Sequence, residues 1–194
     1  NLDNAEFNVR RRLLMRPGYY ETSFLIGARF LDISECFDYQ TLSNLPGPLE
    51  RTNEVGIKTS NEMIGLQLGL QGQFLVQPRM WVDCEIKGGI FQNEANLRRS
   101  FAVSEIGGSS STINTSDGLD RTSFVGDISL QFNYHFAPAW TFVAGYNVVW
   151  VTGVALGANN FENDIGLLAV GPAYINHGGQ MVYHGPNFGV AFAW

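Results

Sequence analysis

Strict alternation of apolar and polar side chains over an unusually long stretch is the feature that most constrains this chain. Between Glu62 and Val76, one face carries leucine, isoleucine, phenylalanine and valine, while the other carries glutamine and glycine. Alternation with a period of two predicts a β-strand, because successive side chains point to opposite faces. Strands of soluble proteins usually have about 5–6 residues, whereas a tilted strand needs about 9–11 to cross a bilayer. This stretch is therefore long enough for a transmembrane strand.

The same alternation recurs along the chain and predicts seven strands. In chain order they cover residues 3–15, 19–33, 62–76, 80–91, 121–136, 140–151 and a last strand ending at Trp194. Three short turns centred on Pro17, Pro78 and Pro138 alternate with three long loops, at about residues 34–61, 92–120 and 152–180. Short turns on one side and long external loops on the other are typical of an antiparallel transmembrane β-barrel of the bacterial outer membrane.

The composition is compatible with one barrel domain spanning residues 1–194. The mean hydropathy is −0.03, but half of each barrel strand is polar, so the average hides the apolar face. The sequence has no apolar run of about 18 residues, which a transmembrane helix would need. The net charge is −6 and basic residues are scattered, so we expect no nucleic-acid partner.

Aromatic side chains gather where the predicted strands end. Four of them belong to the short-turn side and one to the loop side: Tyr19, Tyr20, Trp140 and Trp194, and then Trp150. Two aromatic belts are expected at the two interfaces of a bilayer.

Charges of both signs fall on the polar, inward face of neighbouring strands. They are Glu6, Arg10, Arg12, Glu21, Arg29, Asp83, Glu85, Lys87 and Asp127. Because an unpaired charge is costly in an interior, near balance predicts a lumen filled by salt bridges. A charge-lined conduction path is the functional alternative.

Other constellations give weaker signals. Asp83 and Glu85 share a strand face and could act as an acid and a base, but no cleft accompanies them. The three histidines, one at a strand end and two in loops or at the rim, lack ligand spacing. The segment Ser116–Asp120 predicts an Asp-Gly turn, with a calcium loop as the alternative. We therefore predict no catalytic residue, no metal site and no cofactor, and we expect Cys36 and Cys84 to be too far apart for a disulfide.

Seven strands leave an odd count, whereas a closed single-chain barrel normally has an even one. An open sheet edge in lipid would leave backbone groups without hydrogen bonds. We therefore expect this chain to be the C-terminal part of a larger barrel, with at least one strand before Asn1.

Several segments resemble known outer-membrane proteins. The alternating Phe188, Val190, Phe192 and Trp194 resemble the terminal aromatic signature that the barrel insertion machinery recognises. Residues 5–11, 27–35, 61–72, 145–147 and 185–189 together resemble the putative beta-barrel porin family of planctomycete outer membranes. The resemblance implies about three further strands and a barrel of about ten, which would be narrow. It implies no established substrate or reaction.

These observations predict a non-enzymatic outer-membrane β-barrel, either structural or a narrow porin, that displays long external loops. Its expected partners are outer-membrane lipid, the insertion machinery and other envelope proteins or copies of itself. One alternative is a surface assembly or adhesion protein whose loops bind partners. A second is a soluble lipocalin-like carrier, which would need Leu66, Leu68 and Phe132 inside, and a third is a barrel enzyme at the loop rim.

Overall fold

The computed structural model describes residues 1–44, 50–105, 110–161 and 174–193. These residues form one sheet of seven antiparallel strands, in which each strand pairs with the next along the chain. The strands are β1 (Leu2–Arg16), β2 (Tyr20–Asn44), β3 (Glu50–Gln77), β4 (Met80–Glu105), β5 (Ser111–Ala137), β6 (Trp140–Val154) and β7 (Gly179–Phe192). The described part also contains a short 3-10 helix, Ala158–Asn160, and no helix in it is long and apolar enough to span a membrane.

The three short turns lie where the prolines predict them. In the first, Gly18 has a φ of +77°, a conformation that favours glycine because it has no Cβ. The Tyr19 amide donates to the Arg16 carbonyl over 3.0 Å and closes this turn. All three turns lie at the same end of the sheet.

The prediction of long loops at residues 34–61 and 92–120 was wrong, since both segments are mostly strand. β2 and β3 pair up to Asn44 and Glu50, and β4 and β5 pair up to Val103 and Ser111. The alternation continues there, but the two faces of the sheet exchange character. The outward residues are polar, and the inward ones include Ile57 and Leu97, which are fully buried.

The longer strands also alter the predictions made for short segments within these loops. Ser116–Asp120 lies inside β5 and forms neither a turn nor a loop. Within these two predicted loops, residues 45–49 and 106–109 lie outside the described residues. In the third loop, residues 155–161 and 174–178 are indeed outside the strands.

The outward face near the short turns is apolar and exposed. This apolar band covers about 11 residues of each strand from β2 to β7, the length that a tilted strand needs to cross a bilayer. Leu66 and Phe188, for example, are 72% and 73% exposed. Leu66, Leu68 and Phe132 all lie on this outward face, which is the reverse of what a lipocalin-like carrier requires.

A row of five carboxylates crosses the outward face directly beyond the apolar band. Register places each of them opposite the next on adjacent strands: Asp3, Asp32, Glu62, Glu94 and Asp120. Like charges placed opposite one another destabilise a sheet unless they are well hydrated. This carboxylate row therefore marks where the outward face becomes polar.

The sheet is strongly curved, and its polar face is concave. Adjacent strands are about 4.8 Å apart, so three strand intervals span about 14 Å in a flat sheet. Yet Arg29 on β2 contacts Asp127 on β5 over 3.2 Å, and Lys87 on β4 contacts Glu6 on β1 over 2.9 Å. β1 and β7 are the edges of the sheet, and they are not paired with each other in the described part of the chain.

Candidate functional site: two barriers on the concave face

Five of the nine inward charges predicted from the sequence meet in one cluster. Lys87 Nζ lies 2.9 Å from Glu6, 3.0 Å from Glu85 and 3.8 Å from Asp127. Arg29 completes the cluster with a 3.2 Å contact to Asp127. We call these residues, from strands β1, β2, β4 and β5, the ion cluster.

Neutral amides extend the ion cluster. Gln67 Nε2 donates to Glu6 over 2.9 Å and to the Asn8 side chain over 2.7 Å. Arg29 Nε donates to Asn4 Oδ1 over 2.8 Å. Arg29, Gln67 and Lys87 are all at least nine-tenths buried. Charge-assisted hydrogen bonds therefore satisfy these groups away from bulk water.

A glycine provides the space through which Lys87 reaches this cluster. A Cβ added at Gly69 would lie 2.8 Å from the Lys87 Cγ atom. Any larger residue would collide with the lysine stem, so the glycine is required here by close packing.

The other four predicted inward charges lie nearer the short turns and are not part of the ion cluster. Arg12 Nε pairs with Glu21 over 2.7 Å at an exposed position. Asp83 accepts a 2.8 Å hydrogen bond from Asn133 Nδ2. Arg10 lines a small hollow of about 60 Å³ together with Glu21 and Asp83.

An apolar layer lies directly above the ion cluster, on the side away from the short turns. This was not predicted, because the alternation was taken to indicate a polar interior throughout. The layer consists of buried inward residues from five strands: Leu31, Ile33, Met63, Phe91, Val125, Val151 and Val154. Such a layer offers no hydrogen-bonding partner to water or to an ion.

Above the apolar layer, residues 155–161 follow the end of β6 and turn into the concave face. We call them the inward segment. Gly153 has a φ of +77° and lies at a shift in the register of β6 and β7, which pair as far as Val154 and Gly179. The Gly153 carbonyl accepts a 2.7 Å hydrogen bond from Ser123 Oγ and a 3.2 Å bond from Asn93 Nδ2.

Asn61 holds the inward segment by both ends of its amide. Asn61 Nδ2 donates to the Ala155 carbonyl over 2.9 Å, and the Ala155 N–H donates to Asn61 Oδ1 over 2.8 Å. Asn61 lies on β3, three strands away from β6, and is 1% exposed. Its two hydrogen bonds therefore tie the segment across the concave face.

Three residues hold the rest of the inward segment by further contacts. The Gly157 amide donates to a Glu35 carboxylate oxygen over 2.6 Å. Asn160 Nδ2 donates to the Leu156 and Asn176 carbonyls over 2.8 and 2.9 Å. The Phe161 ring packs edge-on against Phe37, with centroids 5.5 Å apart. The segment and the ion cluster thus lie one above the other on the concave face, and we call them the upper and the lower barrier.

The amides of the upper barrier were missed in the sequence. Asn61 and Asn93 occupy inward positions of strands whose ends had been assigned to loops, and Asn160 lies in a segment without periodicity. The signal that could have identified them is a short polar residue at an inward position of a strand whose neighbouring inward residues are apolar. Such a residue, once buried, must have a hydrogen-bonding partner.

The predicted aromatic and terminal residues lie at the ends of the apolar band. Tyr19, Tyr20 and Trp140 lie near the short turns, and Trp150 lies toward the other end. Phe188, Val190 and Phe192 all point outward and are exposed, while Trp194 lies outside the described residues.

The histidines occupy three separate places. His135 Nδ1 is 2.7 Å from Thr141 Oγ1 at the short-turn end, and His177 precedes β7. His184 was expected in a loop or at the rim, but it lies inside β7 and contacts Tyr146.

The described residues include no group of three or more His, Cys, Asp and Glu side chains that could hold a metal ion. Glu85 is engaged by Lys87 and Asp83 by Asn133, so each carboxylate has a partner of its own. Cys36 and Cys84 are both free thiols.

Comparison with known proteins gives one result that covers the whole chain. No curated protein sequence matches it. The family described as Putative beta barrel porin-7 matches residues 1–194, and the all-β antiparallel sheet with a polar concave face agrees with that description. The chain therefore belongs to the Putative beta barrel porin-7 family.

Proposed function

We propose that the protein is an outer-membrane β-barrel whose lumen is closed at rest by the ion cluster and the inward segment. The observation that carries this proposal is the inverted distribution of side chains. Apolar residues are exposed over a band of membrane width, while Arg29, Gln67 and Lys87 are buried. That distribution is unfavourable in water and favourable in a bilayer.

We further propose that strands outside the seven described here pair with the free edges of β1 and β7, giving a barrel of about ten strands. Every backbone hydrogen-bonding group in lipid must be satisfied, and only closure achieves that. A barrel of this size is narrow, so a few inward side chains can fill it.

The apolar band and the carboxylate row define the orientation. The short turns face the periplasm, and the paired strand ends beyond the carboxylate row project outside the cell, in keeping with the barrel convention. Phe188, Val190 and Phe192 contact lipid and belong to the segment that the insertion machinery would read. The protein is not an enzyme in this proposal.

The height of the external hairpins supports a second role, in assembly on the cell surface. β2 to β5 contain 25, 28, 26 and 27 residues, more than twice the length that crossing requires. Their ends thus form a rigid external wall that could contact other envelope proteins or copies of this protein.

Reconstitution in a planar bilayer tests the proposal. The full-length protein is first recovered in the outer-membrane fraction after an alkaline carbonate wash. We expect the inserted barrel to show no conductance or only rare small steps, because both barriers are dry or ion-paired. Recovery in the soluble fraction would refute the membrane location, and large steady steps would refute the closed lumen.

Thiol labelling tests the orientation. Cys36 lies beyond the carboxylate row and is exposed, whereas Cys84 lies within the apolar band. We expect a membrane-impermeant maleimide to label intact cells at Cys36 only, and the Cys36→Ser variant to remain unlabelled. Labelling of Cys36 only after cell lysis would mean that the orientation is reversed.

The rate of that labelling is a separate prediction. The hydrogen bond from Cys36 Sγ to Asp38, 3.4 Å long, and the negative charge of Asp38 raise the pKa of the thiol. The thiolate is the reactive form, so labelling at neutral pH should be slow and should accelerate as the pH rises toward this raised pKa. Asp38→Asn should lower the pKa and speed labelling at pH 7.5; an unchanged rate would contradict the assignment.

A further inference from the structure

Two basic side chains stand opposite each other on the outward face beyond the carboxylate row. Register pairs Lys58 on β3 directly with Arg98 on β4, and both are exposed. In the described part of the chain, neither forms a hydrogen bond or an ion pair. Like charges directly opposite one another destabilise a sheet, so an anion placed between them would remove an unfavourable interaction.

Lys58 and Arg98 line a hollow of about 470 Å³ on that face. Gly56 and Arg99 also line it, and the remaining lining residues carry hydroxyl or amide side chains. The lining residues with outward side chains are Lys58, Arg98, Ser100, Asn114 and Ser116. Two cations with several neutral hydrogen-bonding groups form a suitable environment for a phosphate attached to a sugar.

Among the described residues, no carboxylate lines this hollow, although Glu62 lines a neighbouring hollow together with Lys58 and Arg98. The acidic side chain next to Gly56 is that of Asp38, on the neighbouring strand β2. Its carboxylate accepts a hydrogen bond from the Cys36 thiol. Asp38 offsets part of the positive charge at one side of the hollow and Glu62 at the other, while the residues that line the hollow itself include basic but no acidic side chains among those described.

The position of the hollow indicates what kind of anion reaches it. Lys58 is four residues farther from the membrane band than Glu62, about 13 Å along the strand. The carboxylate row lies between the hollow and the band, and it repels a phosphate held at the bilayer surface. An anion that reaches the hollow must therefore belong to a headgroup that extends well beyond that surface.

We propose that the hollow binds a phosphorylated sugar in the headgroup of an anionic glycolipid of the outer leaflet, with Lys58 and Arg98 pairing with its phosphate. This inference rests on the outer-membrane location proposed above. Both side chains point outward, toward neighbouring lipid headgroups and away from the lumen.

Binding of a defined glycolipid to the purified full-length barrel tests this inference. The probe is rough lipopolysaccharide with a phosphorylated core, compared with the same material after enzymatic dephosphorylation of the core. The variants are Lys58→Gln, Arg98→Gln and the double variant. Arg51→Gln is the control, because Arg51 is a half-exposed basic residue of β3 that does not line the hollow and pairs with Glu105 over 3.8 Å.

We expect each single variant to weaken binding about fivefold and the double variant at least about tenfold, the scale for basic groups beside an anionic surface. Arg51→Gln should bind like the unmodified protein, and Asp38→Asn should bind more tightly. Removing the core phosphate should weaken binding to the unmodified protein by a similar factor. Equal affinity of the double variant, or of the dephosphorylated probe, would overturn the inference.

Two further measurements complete the test of glycolipid binding. If inorganic phosphate alone binds as tightly as the glycolipid, the site serves a free anion and the assignment to a lipid is wrong. Strand-rich circular dichroism of each variant establishes folding, and the phosphate comparison on the unmodified protein needs no variant at all. Failure of the unmodified protein to fractionate with outer membranes would instead refute the proposed function.

Discussion

Replacing Lys87 by Met is expected to lower the free energy of unfolding by about 3–5 kcal/mol, the usual effect of removing one member of a buried charge cluster. Lys87 is 8% exposed and contacts Glu6, Glu85 and Asp127. Methionine fills a similar volume but leaves three carboxylates with Arg29 as the one remaining cation of the ion cluster. The loss is therefore mainly the cost of the unpaired negative charges.

Denaturant unfolding of the barrel in detergent or lipid measures this effect. Lys58→Met is the matched control, because Lys58 is an exposed lysine of the same sheet without an ion pair in the described residues; we expect a change within about 0.5 kcal/mol. A Lys87→Met effect no larger than that of the control would show that the cluster does not contribute to stability.

A double variant distinguishes pairing from packing. Adding Glu6→Gln to Lys87→Met removes one of the unpaired charges, so stability should be partly restored. Coupled residues in one network commonly show interaction energies of about 0.5–3 kcal/mol. Additive losses would indicate that Lys87 acts through its aliphatic stem, which packs at Gly69.

The sequence predicts most of the fold in the membrane-width part of the chain. There the outward residues are apolar and the inward ones polar, so seven strands and three proline turns can be read directly from the alternation. Beyond the carboxylate row both faces change character together. A strand with polar residues outside and Ile57 or Leu97 inside resembles a soluble strand, and its many serine, asparagine and glycine residues suggest a loop.

The lower barrier could be predicted as a set of charges but not as a cluster. Alternation shows that Glu6, Arg29 and Lys87 point inward, but it does not show the curvature that brings β1 to β4. The upper barrier could not be predicted, because it depends on a non-periodic segment turning inward after β6. Its partner Asn61 carries no charge or motif that would single it out.

Replacing Asn61 by Ala is expected to release the inward segment from the concave face. The change removes three hydrogen bonds, two with Ala155 and a 3.3 Å bond from Asn93 Nδ2. It leaves the Ala155 N–H and carbonyl without these partners, which costs about 1–3 kcal/mol for each of the two groups if it stays buried. The segment can avoid that cost by moving toward solvent. Hydrogen exchange at Ala155 and Gly157 should therefore accelerate.

Asn53→Ala is the matched control for this release. Asn53 is also a buried inward asparagine of β3, but its side chain donates over 3.3 Å to Thr41 on the neighbouring strand β2. We expect it to leave exchange at Ala155 unchanged. Equal acceleration in both variants would mean that general loosening of the sheet, and not the Asn61 amide, controls the segment.

Conductance should show that the two barriers act in series. With Asn61→Ala alone, ions still meet the ion cluster. With Lys87→Met and Glu6→Gln alone, they still meet the inward segment. In series, either closed barrier is sufficient to prevent flow, so each set of changes should leave the planar bilayer nearly silent. The combined variant should give discrete steps. Conductance from either set alone would assign closure to one barrier, and silence of a folded, inserted combined variant would place it in the apolar layer of Leu31, Met63 and Phe91.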